Sequence, residues 1–123
     1  MRVMVMVKAN KETEAGILPS KQLLADMTKF NEELAKAGVL IDAAGLKASS
    51  HGARVQIGAN EKDRVILDGP FTESKELIAG YWLWEVKSLA EAIAWAKRSP
   101  SPHPGHKCEI EIRPLFEASD FEV

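Results

Sequence analysis

Three groups of residues in this chain could do chemistry. The first is Asp68, which ends an apolar run and precedes Gly69-Pro70-Phe71. A carboxylate at a pocket mouth, its pKa raised by apolar neighbours such as Phe71 and Trp82, would act as a base. The same spacing describes an Asx turn, in which the carboxylate accepts the N–H groups of Gly69 and Phe71. The two readings are compatible, since a turn can hold a catalytic group. The second group is His103, His106 and Cys108, a His-x2-His-x-Cys pattern. Imidazole and thiolate suit zinc, but the second ligand pair is missing and His51 would have to be brought in by folding. A nucleophilic Cys108 would need its base from His51 or from the His103/His106 loop. The third group is aromatic: Tyr81, Trp82, Trp84 and Trp95. They form either a wall for a planar ligand or core and dimer packing. Lys8, Arg54, Arg64 and Lys75 are the cations considered for an anionic ligand, although lone charges on strands usually face water. No phosphate loop, dinucleotide fingerprint, nucleophile elbow or His-Glu-x-x-His occurs. We therefore expect no metal and no cofactor.

The elements that must position these groups follow from periodicity. Arg2 to Lys8 alternates, with Val3, Val5 and Val7 on one face and Met4 and Met6 on the other, as in a strand. Ala9 to Pro19 reads as a loop. Ser20 can cap a helix running to about Ala37, with Leu23, Leu24, Met27, Phe30 and Leu34 in one stripe. Gly38 stops it. Val39-Leu40-Ile41 begins a second strand, and Ser49 to Gly52 is turn chemistry. Ala53 to Ile57 and Arg64 to Leu67 form a hairpin, broken by Asp68-Gly69-Pro70. Leu77 to Val86 is the longest strand candidate, with Trp82 and Trp84 on one face and Tyr81 on the other. Ser88-Leu89-Ala90-Glu91 is a capping box for a helix with Leu89, Ala92, Ile93 and Ala96 on one face. Cys108, Ile110 and Ile112 point inward from a last strand.

The order β-α-β-(ββ)-β-α-β describes a ferredoxin-like α+β sandwich with an inserted β-hairpin. At 123 residues the chain makes a single domain, 1–123. Two helices cover one sheet face. Leaving the other bare would expose more apolar area than a monomer usually shows, so we expect a homodimer packed through the sheet face. With 16 Lys and Arg against 18 Asp and Glu, the net charge is −2, which argues against nucleic acid. One cysteine excludes an intrachain disulfide. No stretch reads as a membrane span or a signal peptide, so the expectation is no membrane contact and a cytoplasmic location.

Asp68-Gly69-Pro70-Phe71, followed by Thr72 to Trp82, resembles the DGPF-type branch of the YCII-related proteins. Asn31-Glu32-Glu33-Leu34, Ala37-Gly38-Val39-Leu40, Gly45-Leu46, Ser88 to Trp95 and Glu109 to Pro114 support it in order. The resemblance runs from about Arg2 to Phe121. It implies a dimeric α+β barrel related to muconolactone-isomerase-like proteins. Some relatives act on small ring compounds, including dehydrochlorination of a chlorinated hydroxyquinol-type substrate. Domains of this type also occur beside extracytoplasmic-function sigma factors. The YCII-like branch has a His–Asp pair proposed as catalytic; its His position falls here on Met27, which cannot transfer a proton, while the Asp remains as Asp68.

The resulting expectation is a small-molecule site between sheet and helices, lined by Met27, Phe30, Phe71, Trp82 and Trp84, with Asp68 as the catalytic base. The chemistry would be cofactor-free isomerisation or elimination on a small ring compound. The alternative is a ligand-sensing or interaction module without turnover, linked to sigma-factor regulation, with the acidic tail around Phe116 and Phe121 as a docking segment. A concave pocket holding Asp68 and another titratable group would favour the enzyme.

Overall fold

The computed structural model describes residues 1–73 and 76–122. Lys75, one of the cations considered above, lies outside them.

Strand β1 (Arg2–Lys8) buries Val3, Val5 and Val7 and turns Met4 and Met6 to the opposite face. The stretch expected as a loop contains a one-turn helix, α1 (Lys11–Glu14). Its cause is local. The Asn10 side chain accepts from the Thr13 N–H at 2.9 Å, and the Thr13 hydroxyl accepts from the Asn10 N–H at 2.9 Å. This reciprocal cap satisfies helix-end donors that a loop would have left open. Helix α2 (Lys21–Lys36) is capped by Ser20, which accepts from the Leu23 N–H at 3.1 Å. It stops at Gly38, whose φ of 74° a side chain would disfavour. Leu23, Phe30 and Leu34 are buried; Leu24, expected in the same stripe, is exposed.

Strand β2 (Leu40–Gly45) leads through a 3-10 turn (Ser49–His51) to the hairpin strands β3 (Ala53–Ile57) and β4 (Arg64–Asp68). Every residue of the two hairpin strands is exposed. Strand β5 (Ile78–Glu85), helix α3 (Leu89–Lys97) and strand β6 (Ile110–Pro114) complete the fold. Ser88 accepts from the Glu91 N–H at 3.1 Å as expected, but Glu91 reaches back to the Lys87 N–H, one residue before the cap. Leu89 and Ile93 of α3 are exposed rather than inward; Ala92 and Ala96 face the core as expected, joined by Trp95. Trp95 stands edge-on to Phe30 at 6.4 Å. Cys108 precedes β6 rather than forming part of it, half-buried with its sulfur 3.5 Å from the Ser101 hydroxyl.

The main sheet has the order β2-β5-β1-β6, all neighbours antiparallel, and the hairpin β3-β4 is a separate two-stranded sheet. This is the ferredoxin-like α+β arrangement with an inserted hairpin. The core lies on one face only: Val3, Val5, Val7, Trp82 and Trp84 meet Phe30 and Leu34 of α2 and Ala92 of α3. The opposite face carries Met4, Met6, Tyr81 and Leu83 and contributes nothing to that core. No helix among the described residues is long and apolar enough to cross a membrane.

Candidate functional site

Trp82 and Trp84 stand two residues apart on the same face of β5, yet they do different things. Trp84 is fully buried, its indole N–H without a partner. Phe30 lies edge-on to it at 6.5 Å. Trp82 stands edge-on to Phe30 at 5.9 Å, and its indole N–H donates to Asn31 Oδ1 at 2.7 Å. One side of Trp82 then faces a cavity of about 690 Å³. That volume falls in the range of small-molecule sites.

The cavity opens between the first half of α2, the α1–α2 connection, the end of β2 and the start of β5. Its walls are largely apolar, with Val7, Leu23, Met27 and Trp82 among them. Gly45 and Gly80 pair directly across β2 and β5 and both line it, so the sheet presents bare backbone there. A Cβ built on Gly45 would meet nothing within 4 Å.

A few polar groups converge on this apolar space. His103 is buried, 7% exposed, and lines the cavity. Its Nε2 lies 2.8 Å from the Lys8 carbonyl. β1 slips register against β5 between Val7 and Lys8, an irregularity of the kind that re-aims groups at strand ends. Lys47 and His51 are exposed at the rim. Glu12 also lines the cavity, and the exposed His106 Nε2 lies 3.1 Å from it. On the opposite sheet face, away from the cavity, Tyr81 donates to Asp42 Oδ2 at 3.2 Å. That hydrogen bond and the Asp42 charge push the phenol pKa up, so Tyr81 holds its proton and is no base near neutral pH. No group of three or more His, Cys, Asp or Glu side chains among the described residues is arranged to hold a metal.

Of the residues expected from sequence, Met27 and Trp82 line the cavity. Phe30 and Trp84 stand behind it in the core. Asp68 and Phe71 are not among the lining residues; Asp68 is exposed as the last residue of β4, opposite Ala53. The Asx-turn bonds are absent too. The Gly69 N–H donates to the Gly52 carbonyl at 3.1 Å, and the Phe71 N–H donates to Ser49 Oγ at 2.9 Å. This turn is instead a clamp. A Cβ at Gly69 would stand 1.8 Å from the Ser49 carbonyl oxygen, so only glycine permits the approach. Ser49 Oγ in turn donates to Glu14 at 2.6 Å. The motif thus fastens the Ser49–His51 turn, which carries His51 at the cavity rim, to α1.

Sequence reasoning missed Lys47 as a rim cation, and considered His103 only as a metal ligand or as the base for Cys108. Of the cations it considered, Lys8 and Arg54 are engaged elsewhere. Lys8 Nζ pairs with Glu111 at 3.1 Å, and the Arg54 guanidinium stacks 3.8 Å over Phe71. Arg64 lies on the exposed hairpin.

Comparison with known proteins bears on this arrangement. The YCII-related domain matches residues 1–116. The chain is 30% identical over 95 residues to the uncharacterised protein R00369 of Rhizobium meliloti (strain 1021), covering 77% of this chain and 74% of that protein. In structure it is similar to 5-chloro-2-hydroxyhydroquinone dehydrochlorinase (TftG) from Burkholderia phenoliruptrix AC1100, solved in complex with 2,5-dihydroxybenzoquinone. That likeness has a TM-score of 0.52 at 14% identity, over 98% of each chain.

Proposed function

The chain belongs to the YCII-related family, and on that premise we propose that it binds a small ring compound in the cavity beside Trp82 and performs cofactor-free acid–base chemistry on it, an isomerisation or elimination. The observation that carries this reading is the cavity itself: about 690 Å³ of largely apolar wall with a few convergent titratable groups. The dehydrochlorinase that shares the fold was solved with a small quinone, which fits a ligand of this size. Asp68 enters this reading through the turn it begins rather than as the base. Asp68→Asn that retains turnover and fold fits the clamp role; lost turnover with an intact fold returns the carboxylate to the chemistry.

We infer a homodimer through the open sheet face. Met4, Met6, Tyr81 and Leu83 form an apolar centre, rimmed by Lys8, Glu111 and Arg113 in mutual ion pairs. An apolar centre with a paired, polar rim is ordinary interface anatomy. Leu83→Lys should convert a dimer to a monomer in light scattering.

The functional test is a thermal-shift screen against aromatic acids, lactones and quinol-type compounds. Selective binding to the native state raises the melting temperature. Met27→Trp, which fills the cavity from α2, should abolish the shift while leaving the fold intact. A second reading, a sensing or docking module without turnover and linked to sigma-factor regulation, is favoured by one observation. Phe116 and Phe121, 74% and 68% exposed, stack at 5.0 Å on the outer surface. Ligand binding without turnover of any bound compound would select it.

A further inference from the structure

Resting on the cavity reading above, we propose that His103 is the acid–base residue of this site and that its substrate is a small ring bearing one anionic oxygen group, held at the rim by Lys47 and His51.

The tautomer argument comes first. A carbonyl oxygen only accepts, so the 2.8 Å contact between His103 Nε2 and the Lys8 carbonyl requires the proton on Nε2. The neutral ring then carries its lone pair on Nδ1. Among the described residues nothing pairs with Nδ1, and it is not sealed either. Trp84 Nε1 is the buried, partnerless side-chain polar atom found among them. A histidine buried to 7%, lining a cavity, with one nitrogen pinned by backbone and the other unpartnered, is an oriented proton acceptor. The backbone carbonyl here does the orienting that a carboxylate does in a His–Asp pair.

The charge argument comes second. The titratable side chains lining the cavity are Glu12, Lys47, His51 and His103; that of Tyr81 turns to the opposite sheet face. The Glu12 carboxylate is held 3.1 Å from His106 Nε2. Lys47 has no carboxylate within ion-pair distance among the described residues. Lys47 is therefore a cation at the mouth left free to pair with a ligand, while the interior at Val7, Met27 and Trp82 is apolar. That combination selects a flat apolar body with a carboxylate or phenolate at one end. In the proton-transfer step, Nδ1 takes a proton from an acidic C–H, and the electron pair moves into an adjacent carbonyl as an enolate or expels a leaving anion. The imidazolium then returns the proton to carbon or to the leaving group. No oxidant or reductant is required.

Phenylpyruvate tests both halves, since it joins a ring, a carboxylate and an enolisable methylene. Its phenylpyruvamide analogue removes the charge. Binding is read from chemical shifts of the Trp82 indole N–H and the Gly45 and Gly80 amides. Turnover is read as deuterium uptake at the methylene in D₂O. We expect the acid to bind about tenfold more tightly than the amide, an advantage lost in Lys47→Gln and retained in Lys47→Arg. We expect catalysed exchange to fall about a hundredfold in His103→Gln, which keeps an N–H for the Lys8 carbonyl. Nitrogen-15 shifts of wild-type His103 should report the Nε2–H tautomer, a measurement independent of how the variant folds. Equal binding of acid and amide, exchange no faster than buffer, exchange unchanged in His103→Gln, or the Nδ1–H tautomer would each overturn the proposal while the cavity reading stands. If neither compound moves the cavity signals, both fall.

Discussion

The layer between α2 and the sheet is filled at one end and hollow at the other, although the same two elements build both ends. At the filled end Leu34 and Trp84 are wholly buried, with Phe30 and Ala92 against them. At the hollow end, seven residues earlier on the same helix stripe, Met27 is only half-buried and faces open space toward the Gly45–Gly80 pair. Side-chain volume makes the difference. Opposite Leu34 the sheet supplies indole; opposite Met27 it supplies bare backbone. A cavity here needs no unusual backbone, only two strands that run out of side chains at the same register.

The sharpest way to break this comparison is to cut the two helix positions alike. Leu34→Ala should cost about 2–5 kcal/mol, because it opens a void in a packed core. Met27→Ala should cost less than about 1.5 kcal/mol, since the side chain is only half-buried and borders the cavity. Equal losses in urea denaturation would mean the hollow end is closed in solution.

Freeing the clamp should have the next largest effect. Ser49→Ala removes a hydroxyl that joins the Glu14 carboxylate to the Phe71 N–H, and should destabilise by about 1.5–3 kcal/mol. Its signature would be enhanced hydrogen exchange at Phe71 and His51, with Leu34 amide protection unchanged.

Overpacking gives the reverse test. Ala92→Leu should cost about 1–3 kcal/mol at the filled end. Gly45→Val, in strand geometry with nothing near its Cβ, should shift stability by less than about 0.5 kcal/mol while weakening ligand binding.

The smallest effect lies on the outer side of the sheet. Hydrogen bonds from Lys8 and then Arg113 hold the Glu111 carboxyl below its ordinary value of 4.5. A lowered folded pKa means the contribution is fully present above that ordinary value and is lost as the pH falls through the folded one. Glu111→Gln should therefore lower the melting temperature slightly at neutral pH and flatten the acid limb, the two proteins converging as the pH falls. Both partners are solvent-accessible, so the change stays small.

These two ends were not equally legible in the sequence. The α2 stripe and the alternation of β1 and β5 follow from periodicity, and they placed Met27 and Trp82 on the same layer. Periodicity does not separate a residue that fills from one that lines, so Phe30 and Trp84 were expected at the cavity too. His103 was opaque for another reason. It sits among Pro100, Pro102 and Pro104, where no period exists. Its place depends on a backbone contact with Lys8, ninety-five positions away in the chain. Asp68 was the converse case. Its nearness in sequence to Phe71 and Trp82 suggested a shared site, but the strand it ends belongs to the hairpin, away from the cavity wall.

The register of β1 carries a kinetic consequence. Val5 pairs with Trp82 on one side and Ile112 on the other, so the centre of the sheet joins the earliest strand to the two latest. Helix α2 and the hairpin can form from local contacts, but β1 gains no partner until β5 arrives, and both partners only with β6. Closing such long loops slows folding relative to local architectures. Until then, the alternating Val and Met of β1 are an unpaired apolar strand, the element most exposed to misassociation during folding. Refolding yield should accordingly fall with protein concentration well before native stability does.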